Sequence, residues 1–349
     1  PFDVLCGGFP CQPFSKAGKG RGLADTRGTL FYEILRIAKV CRPRYVLLEN
    51  VARLATHDKG RTWVTIRNAI HEAGYYTHFR PFILSAMQTQ LPQCRTRVFI
   101  LCTRKLEDLP PLPTAPKMKT IKANLTTHIP DILEPGVPTH TLDTNHRTAE
   151  EVWGEFIDIQ IKNRLPVLPT VWADYWGNDI GPIGTQLIYK NKIIDRNRAY
   201  YNKHRHLFQD WLERSTKNPL WKGYLRKMSW MAGPLKPLDQ TIWVLRMSGM
   251  RVKNTDYIWT LTKSSIIPVY GPHHRHLTPT ELLRCQGFPD SFKYHSKKEL
   301  YKQLGNSVPP PMVEAAARLL FSHRSDKQNA DSGEMERQRA TTGGLARKK

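Results

Sequence analysis

The sequence predicts an α/β fold joined to a second, smaller and irregular domain. Three features carry this expectation. Over residues 1–105, short apolar runs alternate with segments of helical periodicity. From about Leu106 prolines become frequent, periodicity fades, and aromatic residues interleave with basic ones. From Leu277 the helical pattern returns.

The elements follow in order. Asp3–Cys6 is a short apolar run ending in Gly7-Gly8, which reads as a buried strand entering a loop. The loop continues through Cys11-Gln12-Pro13 and a Gly/Lys-rich stretch to Arg27. Leu30, Ile34, Ile37 and Ala38 recur at helical spacing, and Pro43 stops that helix. Tyr45–Leu48 is a second buried strand, ended by Glu49-Asn50. Arg61–Ala73 is a second helix with Gly74 as its stop. Tyr75–Leu84 and Arg97–Thr103 are strand-like. Cys11 and Glu49 thus fall just past the C-terminal ends of two strands, the edge at which open α/β sheets bind ligands. Further on, Thr278 is a helix N-cap, with Pro279 in the first helical position and Glu281 three residues after the cap. Residues 311–320 form a last helix, with Met312, Ala315, Ala316 and Leu319 on one face. Beyond His323 the polar, charged sequence predicts a disordered tail over 323–349.

Charge points to the partner. Of 349 residues, 53 are Lys or Arg and 30 are Asp or Glu, a formal net charge of +23. Such an excess suits a polyanion, nucleic acid first. Residues 190–227 hold 11 Lys/Arg against 3 Asp/Glu, with Tyr200, Tyr201, Phe208, Trp211, Trp221 and Tyr224 between them. That stretch reads either as a surface for phosphates and bases or as a basic face over an ordinary aromatic core. No run of 18 apolar residues supports a membrane span, and no secretion signal opens the sequence. The six cysteines include no C-x-x-C pair, so neither a disulfide framework nor a zinc ribbon is expected. His204, His206, His273, His274 and His276 lack a suitably spaced Cys partner and read as solvated or phosphate-contacting, with no metal expected. Reduced, intracellular cysteines are expected.

The sharpest chemical feature is Phe9-Pro10-Cys11-Gln12-Pro13-Phe14-Ser15. A cysteine after a strand end, in a loop rich in Lys and Arg, has the surroundings of an activated thiolate. Here the chain resembles the C5-cytosine-specific DNA methyltransferases. Six stretches carry the resemblance in the family's order. They are Gly8-Phe9-Pro10-Cys11-Gln12, Asp25-Thr26-Arg27-Gly28-Thr29-Leu30-Phe31, Glu49-Asn50-Val51, Gln93-Cys94-Arg95-Thr96-Arg97, Glu281-Leu282-Leu283-Arg284-Cys285-Gln286-Gly287-Phe288-Pro289 and Gly305-Asn306-Ser307-Val308.

The resemblance implies a doubly wound S-adenosylmethionine-dependent sheet over 1–105, a target-recognition domain over 106–272, and a return to the catalytic domain over 273–322. It makes Cys11 the nucleophile that adds to cytosine C6 and Glu49 the carboxyl that engages N3 and the exocyclic amine. Arg97 faces the flipped base and Cys11. Arg95 is expected on the opposite face, orienting neighbours, supporting the fold or simply lying at the surface. Pro10, Leu30, Asn306 and Ser307 resemble cofactor contacts. Gln12, Ser15, Lys19, Arg27 and Arg251 resemble DNA contacts, within a Gly- and Lys/Arg-rich mobile loop (15–27) and at the end of the recognition region. Arg284 is expected to brace the two domains. The implied cofactor is S-adenosylmethionine and the implied partner duplex DNA, with a cognate restriction endonuclease.

The family's Gly-rich cofactor loop and ribose-binding acid are not found in this sequence, so the chain reads as N-terminally incomplete. The sequence is a part of a longer chain, a complementary polypeptide supplies the missing part, or the chain is a remnant. Alone, it is expected to be poorly stable and to bind cofactor weakly. The competing functions are a tRNA cytosine-C5 methyltransferase and an inactive DNA-binding remnant. Amino methyltransferases are disfavoured, because the Asp/Asn/Ser-Pro-Pro-aromatic motif is absent.

Overall fold

The computed structural model describes residues 2–10, 29–177, 188–264 and 266–322. The expectations for Cys11, Gln12, Ser15, Lys19 and Arg27, for the loop over 15–27 and for the tail over 323–349 lie outside the described residues. The chain divides into two compact units. The first comprises 1–90, 95–124 and 308–349, and the second 91–94 and 125–307.

The first unit opens with β1 (Val4–Gly8), α1 (Thr29–Cys41) and β2 (Tyr45–Val51). α2 (Arg61–Glu72), β3 (Tyr76–Thr77) and β4 (Phe82–Ser85) follow. After β5 (Gln93–Cys94), which belongs to the second unit, come β6 (Thr96–Thr103) and α3 (Met118–Ala123). β1 runs parallel to β2, β2 antiparallel to β6, and β6 antiparallel to both β3 and β4. β2 and β6 are apolar almost throughout, as strands covered on both faces must be. α1 turns Phe31, Leu35 and Ala38 inward, and α2 turns in Trp63, Ile66, Ala69 and Ile70. The two helices and the sheet share one apolar core with Val46, Leu48, Val98 and Ile100. Gly74, past the end of α2, has φ +81°, the left-handed conformation that stops a helix.

Two details differ from expectation. The run Tyr75–Leu84 is two short strands, because Pro81 has no amide to donate and breaks the ladder between them. Glu49 and Asn50 lie inside β2 rather than past its end, held by pairing with Phe99 and Val98. Residues 310–322 are helical and bury Met312, Ala316 and Leu320, while the Phe321 ring meets Tyr45 edge-on at 5.1 Å.

The second unit adds α4 (Thr144–Lys162), β7 (Thr170–Trp172), α5 (Ile188–Lys203), α6 (Arg205–Lys217) and β8 (Lys227–Trp230). It continues with β9 (Ile242–Arg246), β10 (Gly249–Lys253), β11 (Ile258–Trp259), β12 (Val269–Tyr270), β13 (Arg275–His276), α7 (Pro279–Gln286) and α8 (Lys297–Asn306). Six strands form a sheet in the order β13-β12-β9-β10-β8-β7, and β5 pairs with β11. This part is more regular than the sequence predicts. Its organising force is aromatic burial: Trp153, Phe156, Phe208 and Trp211 are fully buried, and Trp176, Tyr201 and Trp221 nearly so. Each such side chain contributes about 1.5–3 kcal/mol when buried. Buried indoles need acceptors: Trp153 Nε1 donates to Leu225 O at 2.8 Å, and Trp211 Nε1 to Val152 O at 3.0 Å. For the stretch 190–227, the aromatics are therefore largely core. Lys192, Arg196, Lys203, Arg205 and Lys222 form an exposed basic face over it.

The division also falls elsewhere than expected. Residues 106–124 go with the first unit, and 273–307 go with the second rather than returning to the first. The reason is packing. Leu282, Leu283, Cys285, Leu300 and Leu304 share a core with Ile129, Ile132, Ile242, Ile258 and Tyr270. The helix start at Thr278 is as the sequence predicts, with reciprocal capping by Thr278 and Glu281. Glu281 also forms a doubly hydrogen-bonded ion pair with Arg275, at 2.7 and 2.9 Å, with both side chains buried.

Candidate active site

Parallel pairing brings the C-terminal ends of β1 and β2 to one edge of the first sheet, with Gly8 in register with Glu49. β6 runs the other way, so its beginning lies at the same edge, with Arg97 in register with Val51. Glu49 and Val51 are two apart and share a face, which sets Glu49 and Arg97 as diagonal neighbours. Arg97 Nε meets Glu49 Oε1 at 2.9 Å, and Arg97 Nη1 also donates to Thr96 O at 2.8 Å. Gly8 borders this carboxylate: a Cβ there would lie in ordinary contact with Glu49 Oε2, 3.4 Å away.

Asn50, buried next door, donates from Nδ2 to Phe9 O at 2.9 Å and accepts the Val51 amide at 2.9 Å. It fixes the backbone one residue before Pro10, from which the chain enters Cys11. Nothing in its lone occurrence after Glu49 marks this role in the sequence.

Burial raises the Glu49 carboxyl above the usual carboxylate range, and Arg97 and then Arg95 draw it only partly back. Burial likewise depresses the Arg97 guanidinium, against the pull of Glu49. Both shifts favour loss of charge, so desolvation outweighs the pairing here. The Arg95 guanidinium is pushed down to about 9 by burial, with the Arg97 charge adding to the shift.

The structure corrects the expectation for Arg95. Residues two apart on a strand share a face, since side chains alternate with period 2. Arg95 lies between β5 and β6, is fully buried, and acts on Glu49 together with Arg97. It is no surface arginine. The arrangement is a partly buried carboxyl paired with Arg97 and within the influence of the buried Arg95 charge.

The other expected residues are spread through both units. In the first, Pro10 is half-buried and Leu30 lies in the first turn of α1, 49% exposed. In the second, Asn306 ends α8 with its side chain exposed, and Ser307 caps it, with Oγ accepting from Gln286 Nε2 at 2.9 Å. Arg251 stands on β10 with Nη2 3.4 Å from Ser248 Oγ. Arg284 binds Asp290 and the carbonyls of Ile132 and Leu133, so it ties the stretch 273–322 to the stretch 106–272 within the second unit.

Two residues of the quoted motifs prove structural. Gln93, fully buried, donates to Cys285 O at 3.1 Å and to Gln286 Oε1 at 2.5 Å, and accepts the Leu261 amide at 3.3 Å. At Gly305 a Cβ would come within 2.4 Å of the Thr262 carbonyl carbon, so only glycine lets the two backbones approach. A polar residue among apolar neighbours and a glycine inside a helix were the available signals.

With that geometry in hand, the chain matches the C-5 cytosine-specific DNA methylase family over residues 1–322 and belongs to it. It is 33% identical to the Type II methyltransferase M.HgiCI of Herpetosiphon aurantiacus, an alignment covering 92% of this chain and 82% of the relative. It is equally similar to M.BanI of Aneurinibacillus aneurinilyticus, at 33% identity over 92% and 81%. A shorter match, 53% identical over 102 residues, covers 29% of this chain and 24% of the Type II methyltransferase M.Eco47II of Escherichia coli. The fold is thus that of the S-adenosylmethionine-dependent methyltransferases, and the family implies that cofactor generally. No helix among the described residues is long and apolar enough to cross a membrane.

Proposed function

We propose that the chain transfers a methyl group from S-adenosylmethionine to C5 of a cytosine flipped out of a specific duplex DNA sequence, within a restriction–modification system. The carrying observation is the Glu49–Arg97 pair at the strand edge that leads, through Gly8, Phe9 and Pro10, into Cys11. Cytosine C5 is a weak nucleophile. Addition of the Cys11 thiolate to C6 forms a C–S bond and moves the ring electrons towards C5, splitting one difficult step into two easier ones. A protonated Glu49 holds a hydrogen bond to ring N3 and lowers the barrier to that addition. Arg97 keeps Glu49 oriented, and Arg95 adds positive charge behind it. S-adenosylmethionine, when bound, supplies the electrophilic methyl group. Loss of the C5 proton and expulsion of the Cys11 thiolate then restore the ring. A base inside a duplex is out of reach, so the cytosine must leave the stack.

The test uses the full chain, radiolabelled S-adenosylmethionine, duplex DNA libraries and tRNA. Label at cytosine C5 in DNA, lost in C11A, supports the reading. Label in tRNA alone, or undiminished transfer by C11A, overturns it. DNA containing 5-fluorocytosine separates the steps: without a C5 proton to lose, the adduct persists and travels with the protein in denaturing gels.

A further inference from the structure

Three potential metal ligands converge in the second unit, away from every residue used above. Asp143 precedes α4, His146 lies in its first turn, and His276 ends β13. One donor atom from each lies within 4.8 Å of those of the other two. We infer that Asp143, His146 and His276 form a binding site for a divalent transition metal ion, Zn2+ being the best match to two imidazoles and a carboxylate.

The hydrogen bonds support this independently. A carbonyl oxygen can only accept, so the 3.3 Å contact between His276 Nδ1 and Ile267 O places the ring proton on Nδ1 and leaves Nε2 with its lone pair. His146 Nδ1 lies 2.6 Å from Asp143 Oδ2, so these two donor atoms already face each other. An imidazole tied through one nitrogen to a carbonyl, with the other presented outward, as in His276, is an arrangement found at metal-ligating histidines. The rings are also fixed: His146 stacks on Trp243 at 5.8 Å and meets His276 edge-on at 4.5 Å. Asp143 and His146 line a cleft of about 530 Å3, together with Asn145, Arg246 and Ser264, which gives an ion access from their side. Arg246 weighs against a bare cation there, and the Asp143 charge offsets it. The ion would tie the start of α4 to the sheet edge.

The test is direct. Untagged full chain, stripped with EDTA, is titrated with Zn2+ by calorimetry and with Co2+ by visible spectroscopy. One equivalent of each is expected, with tetrahedral Co2+ bands and a rise in melting temperature. H276Q and D143N should each weaken binding at least about tenfold while the circular dichroism spectrum stays that of the wild type. No stoichiometric binding by the wild type overturns the inference. So does unchanged affinity in H276Q, which would assign the ion to the remaining histidines.

Discussion

Asn50 Nδ2 lies 2.9 Å from the carbonyl oxygen of Phe9, so a buried amide on β2 clamps the backbone two residues before Cys11. Removing it leaves the Phe9 carbonyl and the Val51 amide without that partner, a loss of about 1–3 kcal/mol. N50A is expected to lower the urea midpoint accordingly and, under the proposed function, to reduce kcat by about tenfold or more with KM for DNA little changed. Wild-type kcat in a destabilised N50A would show that the clamp supports the fold alone.

The Glu49 carboxyl is raised by burial, which sets the sign of its pH dependence. A raised folded-state value means that its contribution to stability is fully present below the ordinary value of 4.5 and is lost as pH rises through the raised one. E49Q carries no such charge. Its stability is expected to gain on the wild type as pH increases upward from 4.5, while methyl transfer falls by roughly 100-fold or more. Parallel stability curves across that range would contradict this account of the site.

Glu281 has the opposite sign. Burial disfavours its charge, but Arg275 and the amides of Glu134 and Thr278 outweigh it and hold the carboxyl below 4.5. Its stabilisation is present above 4.5 and lost as pH falls through the lowered value. E281Q strands the buried Arg275 charge and is expected to cost about 3–5 kcal/mol at neutral pH, less in acid. Denaturant melts at several pH values measure both terms.

The basic face over the aromatic core gives a salt-dependent prediction. Changing Lys192, Arg196, Lys203 and Arg205 to Gln should flatten the plot of log affinity for DNA against log salt. The slope should fall by roughly 0.9 for each cation that neutralises a phosphate. An unaltered slope would remove that face from the DNA.

Much of the first unit was legible in the sequence because local signals decide it. The 3–4 spacing of apolar residues in α1 and the Gly74 stop are each encoded within a few residues, as is the Thr278 cap in the second unit. What was lost depends on distant partners. Asn50 reads as an ordinary polar residue until the sheet brings Phe9 beside it. The aromatics around Trp211 read equally as surface or core until α4 and α6 close over them. Residues 273–307 were assigned by motif order, whereas packing against Ile129 and Ile242 determines where they lie. The place of Arg95 follows from the parity of strand positions, since residues two apart share a face.

One consequence concerns synthesis. Tyr45 and Phe321 touch within the first unit, yet the chain between residues 124 and 308 builds almost all of the second. A ribosome adding about 5–20 residues per second needs on the order of 10–40 s to cross that interval. Through that time Tyr45 on β2 waits for Phe321, while the tryptophan-rich unit is being completed. The order of birth along the polypeptide therefore makes the unit that begins first the one that finishes last.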